Sequence, residues 1–135
     1  MQIRVYYEDT DCGGIVYHTN YLKYCERARS EIFFKNKIPP LVKSGGGFVG
    51  FVVKEMDIKF LSPAKLGDIL EVNTRILKLQ NASVELEQKI ILKERLESKE
   101  QKEIFIAKVV LVCLESKTQK IVKIPQILKE VFKEF

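Results

Sequence analysis

Residues 6–31 hold the side chains of this chain that could carry out a reaction. Asp11 lies beside the glycine pair Gly13–Gly14, and His18, the single histidine, follows just before a helical pattern. A carboxylate can attack a carbonyl or activate water. Glycine lets the backbone approach a ligand closely, and free N–H groups at a helix start can hold a developing negative charge. This order of residues predicts a reactive loop that ends at a helix N-terminus.

Other interpretations of the same loop stay open at this point. Cys12 could act as a nucleophile, but the sequence offers His18 as its one candidate base. Glu8, Asp9, Asp11 and His18 could bind a metal, although alternating residues at a strand end would point apart. Asp11 could simply form a turn, and His18 could simply hydrogen bond at the helix start.

The loop must be positioned by a strand before it and a helix after it. Residues 3–7 alternate between apolar and other side chains, which predicts a strand that carries Tyr7 towards the loop. A helix is predicted from Thr19 or Asn20 to about Lys37, where a proline pair ends it. Its apolar face carries six residues at helical spacing. They are Tyr21, Leu22, Cys25, Ala28, Ile32 and Phe33.

The remainder of the chain predicts mainly strands joined by short turns. Residues 44–47 are expected to be a flexible hinge, and residues 93–102 a solvated charged loop. Strand patterns occupy residues 48–61, 70–76, 84–93 and 104–114, and a short C-terminal helix with Ile127 inward follows Pro125. Short connections favour antiparallel neighbours, so the fold class is α+β with about five strands. Residues 104–114 are apolar in both phases, which indicates a central strand or a subunit contact.

Composition limits the class of protein. The 135 residues fit one domain, residues 1–135, and 46% hydrophobic with 30% charged residues is typical of a globular chain. Three cysteines without metal spacing favour a reducing compartment, and we expect the cytoplasm. No apolar run reaches transmembrane length and no signal peptide is apparent, so no stable membrane insertion is expected.

The formal net charge of +5 suits an anionic partner. A nucleotide-bearing molecule, a nucleic acid and an acidic carrier protein all satisfy that criterion, as does a plain solvated lysine surface. The lysines are scattered, and neither an RNP-type aromatic signature nor a helix-turn-helix pattern is present. We therefore expect no nucleic acid partner.

Two stretches resemble a known family. Residues 6–11, 13–21 and 26–31 resemble the first motif of the hotdog-fold acyl-CoA thioesterases, in the 4-hydroxybenzoyl-CoA thioesterase family and its YbgC-like, Tol-Pal-associated branch. Residues 60–68 resemble the second motif. Two positions depart from the pattern: Phe60 stands where the family often has tyrosine, and Cys12 stands where small residues are usual.

The resemblance implies a hotdog fold, in which a curved antiparallel sheet wraps a long helix, and a homodimer or homotetramer with active sites at the dimer interface. It implies hydrolysis of acyl-CoA, with Asp11 as nucleophile or general base. His18 and Tyr7 would be catalytic, and the substrate would contact Gly14, Tyr17, Ser62 and Pro63. A thioester is already activated, so no metal or cofactor is expected.

Two other functions keep the same fold. A hotdog dehydratase would also use an acid and a histidine, but its His-Phe-Pro stretch is absent. A non-catalytic module that binds acyl-CoA or an acyl carrier protein would keep the basic surface. Such a module would not need Asp11 and His18 in one loop, which favours the enzyme.

Overall fold

The computed structural model describes all residues from 1 to 135, and its six strands form one sheet in the order β1-β4-β5-β6-β3-β2. The strands are β1 (Gln2–Arg4), β2 (Leu41–Ser44), β3 (Gly47–Phe60), β4 (Ile69–Leu79), β5 (Ser83–Glu94) and β6 (Lys102–Glu115). The helices are α1 (Asn20–Lys35) and α2 (Gln126–Val131), and single 3-10 turns span Tyr7–Asp9 and Phe132–Glu134. The predicted α+β class is confirmed, with six strands in place of about five. Neither α1 nor α2 has the length and apolarity that a membrane crossing requires.

The additional strand, β2, leads into the residues that the sequence predicted to be a flexible hinge. β2 pairs antiparallel with the start of β3, and Ser44 lies opposite Gly47. The two residues between them, Gly45 and Gly46, have φ values of 53° and 84°. A two-residue hairpin turn of type I′ requires positive φ at both central positions, which glycine adopts without steric cost. The hinge prediction was therefore wrong, because the glycines form a defined tight turn.

The chain divides into two compact units. The first unit comprises residues 1–28, 58–74 and 88–107, and the second comprises residues 29–57, 75–87 and 108–135. Helix α1 and strands β3 to β6 each contribute residues to both units. The prediction of a single domain stays a prediction.

In the first unit, the N-terminal half of α1 is fixed to strands by stacking and by hydrogen bonds. The ring of Tyr21 stacks on that of Phe105 with centres 5.3 Å apart. The side-chain amide of buried Gln88 donates to the carbonyl of Cys25 at 2.9 Å and to the hydroxyl of Thr74 at 3.0 Å. Because a buried amide without partners is costly, these bonds help to fix how α1 lies on β4 and β5.

In the second unit, Phe33 of α1 packs edge-on against Phe132 with ring centres 5.5 Å apart. Leu128, Val131 and Phe132 are buried at the spacing of one helical face. Ile127 is 51% exposed, so its predicted inward position was wrong. The buried face of this short helix consists of positions i, i+3 and i+4, and Ile127, which directly precedes position i, points away from that face.

Strand β6 lies between β5 and β3, and residues on both of its faces are buried, which explains why it is apolar in both phases. Ile104, Phe105 and Val109 are fully buried within one chain. Of the two interpretations of residues 104–114, the central strand is the one observed. Exposed apolar side chains lie instead on β3, where Val52 and Val53 are 43% and 47% exposed beyond the residues that pair with β2.

Candidate active site

The loop that carries Asp11 folds as a small hairpin, here called the Asp11 hairpin (residues 9–17). The Tyr17 N–H donates to the Asp9 carbonyl at 2.9 Å, and the Asp11 N–H donates to the Ile15 carbonyl at 3.0 Å. At the tip, the Gly14 N–H donates to the Asp11 carbonyl at 3.1 Å, and Gly14 has a φ of 72°. The glycine pair predicted to bend the backbone therefore forms the tip itself.

Asp11 is exposed at this tip, and one carboxylate oxygen is already engaged. Its Oδ1 accepts the Gly13 N–H at 2.9 Å, while Oδ2 accepts no hydrogen bond from the chain. This contact is the turn-forming role of aspartate. It also limits how the carboxylate can rotate and leaves the second oxygen available to a substrate or water.

Tyr7 does not lie on the strand that the sequence predicted. β1 ends at Arg4, and Tyr7 begins the 3-10 turn Tyr7–Asp9. The turn forms because the Asp9 carboxylate accepts the Tyr6 N–H at 2.9 Å and the Asp9 N–H donates to the Tyr6 carbonyl at 3.0 Å. The Tyr7 side chain is 81% exposed. Tyr7 is thus placed before the Asp11 hairpin on an exposed turn.

The segment after β3, here called the 62–68 turn, pairs with the Asp11 hairpin. The Val16 N–H donates to the Ala64 carbonyl, and the Leu66 N–H donates to the Gly14 carbonyl, both at 2.9 Å. The Ala64 N–H in turn donates to the hydroxyl of Tyr21 on α1 at 3.0 Å. Hairpin, turn and helix are therefore joined by hydrogen bonds.

A cavity of about 330 Å³ opens between these elements. It is lined by Ile15, Val16, His18, Tyr21, Phe60, Leu61, Ser62 and Pro63. Three predicted site residues, His18, Ser62 and Pro63, therefore share one cavity, whose lining is mostly apolar. Tyr17 lies beside it, with its ring centre 4.6 Å from that of His18. Tyr7, Asp11 and Gly14 do not line the cavity.

The junction between the Asp11 hairpin and α1 supplies unused backbone donors. The Asn20 N–H donates to the Tyr17 carbonyl at 2.9 Å, and the Asn20 side chain donates to the Asp9 carbonyl at 2.8 Å. The backbone N–H groups of His18 and Thr19 donate to no acceptor in the chain. His18 lines the cavity, so one of the two residues that carry these donors lies at a site that a substrate could reach.

Two tyrosines of α1 have raised pKa values: Tyr21, which lines the cavity, and Tyr24. Burial raises the pKa of the Tyr21 hydroxyl, which accepts the Ala64 N–H. Burial also raises the pKa of Tyr24, and the negative charge of Asp9 raises it further. The buried Tyr24 hydroxyl makes no hydrogen bond of full geometry, although it interacts with the Asp9 carboxylate. Neither phenol is therefore suited to act as a base near neutral pH.

Arg95 and Asp68 form a buried ion pair that sequence analysis missed. Arg95 Nε donates to Asp68 Oδ1 at 3.0 Å, and Nη2 donates to Asp68 Oδ2 at 2.8 Å. The Arg95 and Asp68 side chains are 12% and 1% exposed. Arg95 lies in the loop predicted to be solvated, and no sequence pattern connects two residues 27 positions apart.

The other chemistries considered for the loop find no geometric support. No three histidine, cysteine, aspartate or glutamate side chains lie close enough together to hold a metal ion. Cys12 is an exposed free thiol, and no hydrogen bond joins it to His18.

Comparisons with known proteins match this fold and this region of the chain. The model of the thioesterase superfamily matches residues 13–99. The chain is 41% identical over 133 residues to the acyl-CoA thioesterase YbgC of Helicobacter pylori, with 97% of each chain covered. It is 34% identical over 132 residues to the acyl-CoA thioester hydrolase YbgC of Escherichia coli, covering 98% of this chain and 93% of the relative. The crystal structure of a probable thioesterase from Bartonella henselae superposes with a TM-score of 0.78 at 34% identity, covering 93% of this chain and 97% of the other. The hotdog fold is thereby confirmed.

Proposed function

Since the chain belongs to the thioesterase superfamily, we propose that it hydrolyses acyl-CoA to a free acid and CoA, with Asp11 as the catalytic carboxylate. The observation that carries the assignment is the state of Asp11 at the hairpin tip. One carboxylate oxygen is fixed by the Gly13 N–H, and the other is unpaired and exposed. A fixed carboxylate with one free oxygen can take a proton or attack a carbonyl carbon.

Two routes are open to this carboxylate. As a general base, Asp11 takes a proton from water while the water oxygen attacks the thioester carbonyl carbon. The tetrahedral intermediate then collapses, the C–S bond breaks, and the departing CoA thiolate is protonated. As a nucleophile, Asp11 forms an acyl anhydride and expels the thiolate, and water then hydrolyses the anhydride. Neither route requires a metal or a cofactor.

The negative oxygen of the intermediate needs donors that are already in place. We assign this role to the backbone N–H groups of His18 and Thr19, which have no acceptor within the chain. Fixed donors at a helix start stabilise such an oxyanion without reorganisation. The His18 ring, beside those of Tyr17 and Phe60, would orient the thioester rather than hold the main charge.

The apolar cavity and the basic surface suit the two ends of acyl-CoA. Ile15, Val16 and Leu61 give the cavity an apolar wall that can receive an acyl group. The net charge of +5 attracts the phosphates of CoA. An acyl carrier protein would satisfy the same charge criterion, and turnover separates an enzyme from a module that only binds.

The Asp11→Asn substitution tests the assignment. It keeps the shape of the side chain but removes the charge, so neither attack nor proton abstraction is available. We expect turnover of short- and long-chain acyl-CoA, followed by thiol release, to fall by roughly 10²–10⁴-fold. Cys12→Ser is the matched control, because it changes the adjacent exposed residue and should keep most activity.

Circular dichroism checks that both variants are folded. A folded Asp11→Asn protein that turns over acyl-CoA at the wild-type rate would overturn the role of Asp11. A loss of similar size in Cys12→Ser would restore the cysteine nucleophile hypothesis. Binding of acyl-CoA by the wild-type chain without thiol release would favour the non-catalytic module.

A further inference from the structure

On the premise of the proposed function, we propose that Arg95 is a positioning residue for hydrolysis, because it holds the 62–68 turn that supports both the cavity and the Asp11 hairpin. Arg95 touches neither Asp11 nor His18, and it reaches the cavity wall only through the main-chain carbonyl of Pro63. Its guanidinium acts on the turn at residues 63 and 68, and the turn carries the effect to the site.

One guanidinium spans the turn. Nε and Nη2 of Arg95 bind the two oxygens of Asp68 at 3.0 and 2.8 Å, and Nη2 also donates to the Pro63 carbonyl at 3.1 Å. Within the turn, the Lys65 N–H donates to Asp68 Oδ2 at 2.7 Å, and the Asp68 N–H donates to the Lys65 carbonyl at 3.0 Å. Paired charge-assisted bonds of this kind fix orientation as well as distance.

The 62–68 turn links the hydrogen bonds of Arg95 to two parts of the site. Towards the cavity, Pro63 and its neighbour Ser62 line the wall. Towards the Asp11 hairpin, the Ala64 carbonyl accepts the Val16 N–H, and the Leu66 N–H donates to the Gly14 carbonyl. A shift of the turn would therefore move the cavity wall and the hairpin that carries the carboxylate.

A contribution to the stability of the fold is a weak explanation for the presence of the Arg95–Asp68 ion pair. Burying two charges removes them from water, and well-packed apolar residues of similar volume often stabilise a protein as well or better. Only a planar, forked donor can hold both carboxylate oxygens and a carbonyl at once. Lysine in the same place offers a point charge and cannot reproduce that geometry.

Kinetics of Arg95→Met and Arg95→Lys test the proposal, with Arg75→Met as the matched control. Arg75 pairs with Glu87 through one hydrogen bond at 2.8 Å, is 66% exposed, and makes no contact with the 62–68 turn. We expect Arg95→Met to lower kcat by roughly 10–100-fold, the scale of a small misplacement of reacting groups. KM should change less than kcat, because the residues that contact substrate are all present and a small shift affects the alignment of reacting groups more than it affects binding. Arg95→Lys should fall between Arg95→Met and wild type, and Arg75→Met should match wild type.

Chemical rescue distinguishes positioning from general stability. Guanidinium chloride at low millimolar concentration should restore part of the kcat of Arg95→Met and leave the wild-type rate unchanged. Folding of each variant is checked by circular dichroism at the assay temperature. If Arg95→Met does not fold, the kcat of Arg95→Lys decides in its place.

Several results would overturn the role of Arg95. They are a wild-type kcat in a folded Arg95→Met or Arg95→Lys variant, a defect confined to KM, or failure of both variants to fold. If Asp11→Asn loses activity while Arg95→Met keeps it, only the role of Arg95 fails. If the wild-type chain releases no thiol from any acyl-CoA, the proposed function fails, and the role of Arg95 fails with it.

Discussion

Tyr21 and Tyr24 allow one chemical change to be made at two buried places with opposite expected effects on stability. They lie one turn apart on α1, are 4% and 1% exposed, and have ring centres 6.3 Å apart. Their hydroxyls differ in one respect. That of Tyr21 accepts the buried Ala64 N–H at 3.0 Å, whereas that of Tyr24 makes no hydrogen bond of full geometry and faces the negative charge of Asp9. Replacement by phenylalanine removes only the hydroxyl in each case.

The magnitudes follow from what each deletion leaves behind. Tyr21→Phe leaves the Ala64 N–H buried without an acceptor, which costs about 1–3 kcal/mol of unfolding free energy. Tyr24→Phe removes a hydroxyl that was taken from water without compensation, so we expect a gain of about 1 kcal/mol. For a chain of this length, 1 kcal/mol corresponds to roughly 4 °C in Tm.

Urea unfolding followed by circular dichroism measures both effects. The midpoint should fall for Tyr21→Phe and rise for Tyr24→Phe, while the dependence of free energy on urea stays constant. All three proteins must be compared at one concentration, because an oligomer gains stability with concentration. Two shifts of the same sign would refute the reasoning. A loss on Tyr24→Phe would mean that its hydroxyl has a partner, with the Asp9 carboxylate as the candidate.

The raised pKa values of both tyrosines add a test at alkaline pH. A folded chain that keeps these protons to higher pH than the unfolded chain binds more protons above pH 10, the ordinary pKa of a phenol. The associated stability is complete below about pH 10 and is lost as the pH rises towards the folded pKa values. Tyr24→Phe should lose stability less steeply than wild type over this range. Equal slopes would contradict the assignment.

Two further predictions concern the site and the assembly. His18→Ala should lower turnover less than Asp11→Asn does, because the backbone N–H that would hold the oxyanion remains; the reverse ranking in steady-state kinetics would make His18 the principal base. We expect at least a dimer, formed through the part of β3 that β2 leaves unpaired and where Val52 and Val53 are exposed. Light scattering that finds an active monomer at micromolar concentration would contradict it.

Helices and strands could be predicted from the sequence where apolar residues recur at a regular spacing or where a residue such as proline ends the element. The apolar spacing along α1 and the proline pair after it gave a helix to about Lys37, close to its observed end at Lys35. The order of residue types, an aspartate, a glycine pair and then a helix start, predicted a bent loop before α1, and the Asp11 hairpin lies there. The resemblance implied that His18, Ser62 and Pro63 are site residues, and these three share a cavity.

Two kinds of feature could not be predicted from the sequence. The first depends on contacts between residues far apart in the chain, and the second depends on local hydrogen bonds that leave no periodic pattern in the sequence. The charged loop gave no sign that Arg95 would turn inward, because its partners at residues 63 and 68 are set by the tertiary fold. The strand predicted to reach Tyr7 stopped early because the Asp9 side chain captured the Tyr6 N–H. The alternation of apolar and polar residues in a sequence does not show whether a nearby side chain will take a backbone N–H that a strand would otherwise use.

The hydrogen bonds between the Asp11 hairpin and the 62–68 turn all join main-chain groups. The bonds that place it run from the Val16 N–H to the Ala64 carbonyl and from the Leu66 N–H to the Gly14 carbonyl. Every residue except proline carries the same N–H and carbonyl groups, so most substitutions at the tip leave these anchors intact. Mutation can therefore exchange the side chains at the tip without displacing the loop that presents them. A scaffold of this kind lets new chemistry be sampled over evolution without the fold being rebuilt each time.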